Sequence, residues 1–137
     1  MWPWKGGNQW KVLPGDSLGT LGEKLGCQYL EKKGYKVIAR NFQNQKGRRL
    51  GEIDIVATVG KKIVFVEVKT REKRGLSFGL PEENINRTKL LKLQKIAVYY
   101  LRQNNWIDRE YTFDALSILY DGATRSAKIR HLEGIFL

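Results

Sequence analysis

The sequence predicts an α/β domain, and three observations point there. Two β-branched runs, Gly51–Ala57 and Ile63–Arg71, are joined by a turn signal at Gly60 and Lys61. Two segments with helical apolar spacing, 16–33 and 82–104, flank this hairpin in the chain. Three further alternating runs, at Tyr35–Asn41, Tyr111–Leu119 and Ala127–Glu133, bring the expected strands to about five.

Residues 1–15 carry Trp2, Trp4 and Trp10 among glycine, proline and lysine without period, and are expected to form a flexible arm. A tail folded back onto the domain is favoured over tryptophans that stack on bases or a partner. The single domain then spans 16–137, a length that buries a core without staples. Asp16 or Ser17 caps the first helix, and Gly34 stops it. Leu18, Leu21, Leu25 and Tyr29 form its inward stripe, with Lys24, Gln28 and Glu31 opposite. At about 100° per residue, Glu23 falls instead beside Gly26, Cys27 and Leu30. A carboxylate among small and apolar neighbours is a site candidate.

The central hairpin is the most informative stretch. Side chains alternate along a strand, which places Glu52 and Asp54 on one face and Ile53 and Ile55 on the other. Glu67 and Lys69 likewise share a face, opposite Val64, Val66 and Val68. Carboxylates set into an apolar hairpin are costly unless they pair or hold an ion. Asp114 interrupts the apolar pattern of its strand and reads as a structural partner for a nearby lysine or arginine.

The net charge of +11 points to a polyanionic partner, with nucleic acid first. Charge alone leaves a basic, ribosome-associated or merely soluble protein at equal weight. Arg48, Arg49, Arg71, Lys73 and Arg74 lie in or beside two basic loops. Lys92, Lys95 and Arg102, with Tyr99, form an outward stripe on the long helix, while Leu90, Leu93, Ala97 and Leu101 face inward. One cysteine, Cys27, excludes an internal disulfide framework and fits a reducing cytoplasm. A single histidine, His131, excludes a Cys/His zinc constellation. A metal would therefore be held by oxygen, which suits Mg2+ or Mn2+. Asp54 and Glu67 on adjacent strands can supply a carboxylate pair. The main-chain carbonyl of Val68 can add a third oxygen, Glu23 and Glu52 can reach the same place, and Lys69 can approach an attacking water. No apolar run is long enough to span a bilayer, and no secretory signal is visible, so a cytoplasmic location is expected.

An inward helix glutamate, a strand aspartate and a Glu-x-Lys on the next strand resemble the PD-(D/E)xK restriction-endonuclease-like superfamily. Leu18–Glu23 (LGTLGE), Gly34–Asn41 (GYKVIARN), Gly51–Val56 (GEIDIV) and Phe65–Arg71 (FVEVKTR) are more closely similar to the bacterial YraN family of predicted nucleases. Phe113, Asp114, Ile135 and Phe136 fit the same pattern. The resemblance implies a central mixed sheet flanked by helices and kinship with Holliday junction resolvases, which cut branched DNA as dimers. It assigns Glu23, Asp54, Glu67 and Lys69 to a Mg2+ site. The superfamily's usual proline before the aspartate is absent, and Ile53 stands there. The expectation is a metal-dependent endonuclease, DNA being favoured over RNA as partner and a homodimer conceivable. A non-catalytic nucleic-acid adaptor and an RNA- or ribosome-associated factor are the alternatives.

Overall fold

A computed structural model describes residues 10–73 and 87–135. The elements run α1 (Leu18–Lys32), β1 (Lys36–Gln43), β2 (Glu52–Val59), β3 (Lys62–Glu72), α2 (Arg87–Gln103), β4 (Tyr111–Asp121) and β5 (Ser126–Leu132). The five strands form one mixed sheet in sequence order. Neighbours are antiparallel except β3 and β4, which run parallel because α2 crosses between them. The α/β architecture read from the sequence is thus the one observed. No helix among the described residues is long and apolar enough to cross a membrane.

Each helix covers one face of the sheet. Leu25, Cys27 and Leu30 of α1 pack on Ile55, Ala57, Val64, Val66, Leu116 and Ile118. On the other face, Leu93, Ile96, Ala97, Tyr100 and Leu101 of α2 pack on Ile53, Val56, Ile63 and Phe65. Along β3 the two sets alternate, as a strand buried on both faces requires. Gly60, with φ 60°, makes the two-residue turn between Val59 and Lys62.

Ser17 caps α1 by accepting the Thr20 N–H at 3.2 Å, and Gly34 ends it in the left-handed region at φ 102°. The stripe on α1 differs from the expected one. Leu18 is exposed, while Gln28, placed outward by the helical period, is buried. The reason is the segment that precedes the helix. Trp10 packs on the α1 core, its carbonyl accepts from Gln28 Nε2 at 2.8 Å, and the Lys11 carbonyl accepts from Lys24 Nζ at 3.0 Å. Lys24 also pairs with Asp16 at 2.9 Å. A face that looks polar in the helix alone is covered by residues 10–16. Of the expected arm, residues 1–9 lie outside the described residues, as do 82–86 of the expected long helix.

Asp114 is buried, but its partner is neither a lysine nor an arginine. Its Oδ2 lies 2.7 Å from His131 Nε2, and its Oδ1 accepts the Gly134 N–H at 3.0 Å. Asp114 therefore holds the end of β5 and the segment 133–135 that continues along β4, where the Ile135 N–H also donates to the Phe113 carbonyl at 2.8 Å. The period along β4 can show that Asp114 is buried, but not that β5 brings a histidine to it.

Candidate metal centre

The sheet forks at its centre. The β2–β3 ladder runs from the turn only as far as Ile55 opposite Val66. Beyond that pair β2 stays with β1 as far as Glu52, whereas β3 stays with β4 as far as Glu72. Asp54 stands at the mouth of the fork, where its Oδ2 accepts the Val68 N–H at 2.7 Å. In an extended strand, N–H and C=O of one residue leave by the same edge, so the Val68 carbonyl opens on the Asp54 side.

Alternation along β2 breaks at this point. Ile53 packs under α2 and Ile55 under α1, so the two do not share a face as strict period 2 requires. The cause lies on β1. Asn41, between the paired residues Arg40 and Phe42, is left-handed at φ 55°. Arg40 turns to the α1 side, its guanidinium 5.6 Å from the Trp10 ring, while Phe42 joins the α2 cluster. Asparagine is among the few residues that take this conformation without a large penalty. The paired irregularity on β1 and β2 aims Asp54 into the fork.

Carboxylates gather there from three elements. Ligand oxygens of Glu23, Glu52 and Asp54 all lie within 4.8 Å of one another. Glu23 arrives from α1. Gly22 beside it lets the helix sit directly on β3, since a Cβ at that position would overlap the Thr70 side chain. Glu67 and Lys69 leave β3 on the α2 side, in phase with Ile63 and Phe65. Glu67 nonetheless belongs to the same electrostatic group, because the open fork removes the sheet that would separate the faces.

Burial, and then the Glu67 charge, push the Asp54 carboxyl up to about 8, against the opposing Val68 hydrogen bond. Glu67 is raised by burial and partly restrained by Lys89 and Lys69. Glu23 is raised by burial and restrained by a hydrogen bond from Asn41 and by the Arg40 charge. Burial is thus the first cause in all three cases, and repulsion among the neighbouring carboxylates adds to it. This donor set fits a hard divalent cation: all oxygen, mostly carboxylate, and destabilised when ionised without one. Glu23, Glu52 and Asp54 would hold such an ion, with Glu67 and the Val68 carbonyl bordering it.

Two residues at this site escape a reading of the sequence. Asn41 bonds Glu23, and although it closes the family-like segment Gly34–Asn41, nothing local marks it as a partner of that carboxylate. Lys89, on the first turn of α2, carries no local mark, because only the fold brings it to Glu67.

The expected basic residues are distributed around the molecule. Arg48, Arg49 and Lys73 are exposed, as are Lys92, Lys95 and Arg102 on α2. Tyr99 is half-buried against Phe42, with ring centroids 6.3 Å apart, rather than standing outward with them. Arg71 is half-buried, and its Nε has no hydrogen-bond partner among the described residues. Arg74 lies outside the described residues.

Fold and site together define an α/β protein with a forked mixed sheet and an acidic cluster in the fork. Residues 22–118 match the family described as "Uncharacterised protein family UPF0102". The chain is 44% identical to a UPF0102 protein of Syntrophomonas wolfei over 119 residues, covering 87% of this chain and 96% of the relative. It is 42% identical to one of Caldicellulosiruptor bescii over 120 residues, covering 87% and 96%. A third, from Alkaliphilus metalliredigens, is 40% identical over 120 residues, covering 88% and 97%. The chain belongs to the UPF0102 family, the YraN-like group that its motifs resemble.

Proposed function

We propose that this protein is a metal-dependent nuclease that hydrolyses phosphodiester bonds, with DNA favoured over RNA as substrate. The observation that carries the reading is the fork. Desolvated carboxylates from α1 and β2 converge there with the Glu67–Lys69 segment of β3. Among the described residues, the ion pair made by Glu23, Glu52 or Asp54 is that of Glu52 with the exposed Arg49, at 3.4 Å. A purely structural network would bring a close cation to each acid, as Asp16 has in Lys24.

A bound Mg2+ or Mn2+ would polarise the scissile phosphate and lower the pKa of a water. The side chains of this protein supply the rest. Glu23, Glu52 and Asp54 would hold the ion. Glu67 accepts a hydrogen bond from the attacking water and orients it. Lys69 places positive charge where the phosphate gains negative charge in the transition state. Asn41 and the Val68 N–H hold Glu23 and Asp54 in place, so little reorganisation is needed. Exposed cations at Arg48, Arg49, Lys73, Lys92, Lys95 and Arg102 offer phosphate contacts outside the centre.

The test is incubation of the pure protein with linear, flapped, four-way and single-stranded DNA, with and without Mg2+ or Mn2+. Cleavage is expected only with metal, and Asp54→Asn, Glu67→Gln and Lys69→Ala should each abolish it while nucleic-acid binding persists. Tight binding with no metal-dependent cleavage of any substrate would replace this reading by the adaptor one.

A further inference from the structure

The chain between β1 and β2 is built around one side chain. Asn44 donates from Nδ2 to the Lys46 carbonyl at 2.9 Å and to the Arg48 carbonyl at 2.8 Å. Its Oδ1 accepts the Leu50 N–H at 2.9 Å. Both ends of the loop are anchored as well. Gln43 is still paired with Glu52 in the sheet, and Leu50 packs on the core under α2. Gly51 lies so close to α2 that a Cβ there would stand 3.6 Å from the Lys92 carbonyl oxygen. A free basic loop must be ordered when it binds, at about 1–2 kcal/mol for each residue fixed. The Asn44 frame removes part of that cost in advance.

Turning the carbonyls inward turns donors outward. A trans peptide points its C=O and N–H in opposite directions, and there is no cis bond among the described residues. Because the Lys46 and Arg48 carbonyls face Asn44, the N–H groups of Gly47 and Arg49 face away from it. Neither donates to a backbone oxygen of the described residues. Gly47 sits in the left-handed region at φ 77° and has no side chain to cover its N–H. Residues 45–49 are all exposed, and 41–51 contain no acidic residue. Lys46, Arg48 and Arg49 flank the two amides, and Lys92 stands beside the loop on α2. Arg49 ends the row 3.4 Å from Glu52, at the rim of the acidic centre.

We propose that this loop is a preorganised phosphate-contacting tip. The N–H groups of Gly47 and Arg49, with the Lys46 and Arg48 side chains, bind phosphodiester oxygens of a nucleic-acid backbone, and Asn44 is the residue that positions them. The assignment rests on the nucleic-acid reading of this protein and is independent of cleavage. The tip offers donors and cations, which match phosphate oxygens, whereas base edges mix donors with acceptors. The net charge of +11 favours a polyanion over an isolated carboxylate. Contacts of this kind carry no sequence information and fix where the backbone lies relative to the carboxylates.

The test uses the full isotope-labelled chain in EDTA, which suppresses metal-dependent cleavage, with a short DNA duplex as probe. The amide resonances of Gly47 and Arg49 should shift on titration. Asn44→Ala changes no charge, yet it should weaken DNA binding about fivefold and lower the salt slope by about one. A surface acting through charge alone would not respond to it. Arg48→Ala should cost less affinity in the Asn44→Ala background than in the parent, because the frame that aims Arg48 is already lost. Melting curves show whether the variant folds, and the resonance shifts of the parent do not depend on it. Gly47 and Arg49 resonances that stay in place, or an Asn44→Ala variant with the parental affinity and slope, overturn the inference and leave the nucleic-acid reading standing. Equal shifts with a polyglutamate peptide overturn the phosphate assignment in favour of an acidic protein. Failure to bind the duplex at low salt overturns the inference and the nucleic-acid reading together.

Discussion

Replacing Asp54 by asparagine should stabilise the metal-free protein, by an amount that depends on pH. The ordinary carboxyl value is 3.8, and the fork pushes Asp54 up to about 8. The native state therefore binds more protons than the unfolded chain throughout that interval, and stability falls as pH rises through it. At pH 7 roughly three units of the shift are felt, a ceiling of about 4 kcal/mol. Water reaches the half-buried carboxyl and Glu67 shares the proton, so about 2 kcal/mol is the expected gain from the substitution. At pH 5 it should shrink below about 1 kcal/mol. Asparagine keeps an oxygen for the Val68 N–H and turns its amide toward Glu23 and Glu52, so the shape of the fork is preserved. Urea unfolding of both proteins at pH 5, 7 and 8.5 in EDTA measures the difference. Added Mg2+ should reverse the order, because binding to the native state alone stabilises the parent more than the variant. A variant less stable than the parent at pH 8.5 in EDTA would refute the account. Asp54 would then be a compensated member of a structural network.

Three other outcomes follow from the same geometry. Gly22→Ala should cost about 1–3 kcal/mol, because the added methyl meets Thr70 and drives α1 off β3. Glu23 moves with the helix, so isothermal titration should show weaker Mg2+ binding, and Thr70→Ala in the same chain should recover part of both losses. Asp114→Asn should cost about 1–3 kcal/mol in urea unfolding, since the amide cannot accept from both His131 and Gly134, yet it should leave Mg2+ affinity unchanged. Charge reversal at Arg48 or Lys73, both exposed, should weaken DNA binding without lowering the melting temperature, and should reduce the salt slope by about one for each phosphate no longer neutralised.

How much of this is legible in the sequence depends on how local each determinant is. The hairpin follows from β-branched runs around Gly60, and the ends of α1 from Ser17 and Gly34, all within a few residues of what they determine. The position of Glu23 on its own helix is readable because neighbours at 100° spacing are local too. That of Gln28 is not, because the segment that buries it is held by tertiary contacts that no helical period records. The pairing of Asp114 with His131 spans 17 residues and a change of strand, so periodicity can mark the buried acid but not its partner.

The fork is the instructive case, because the sequence names its residues and hides its geometry. Strict alternation assigns Ile53 and Ile55 to one face and Asp54 to the other, and nothing local announces a break between them. The observed strand instead sends the two isoleucines into opposite cores, and each is fully buried there. This arrangement requires a residue between them whose side chain points to neither face, and on β2 that residue is Asp54. It also requires the neighbouring strand to bend in step, which Asn41 does with a left-handed backbone. The two isoleucines thus anchor the irregularity on both sides of the sheet, and Asp54 cannot relax to a solvent-facing position without pulling one of them out of its core. Hydrophobic burial of Ile53 and Ile55, worth about 1.5–3 kcal/mol for each side chain, opposes the repulsion among the carboxylates. A cluster of acids that would disperse on a flexible loop is held together here by the packing of its neighbours in the chain.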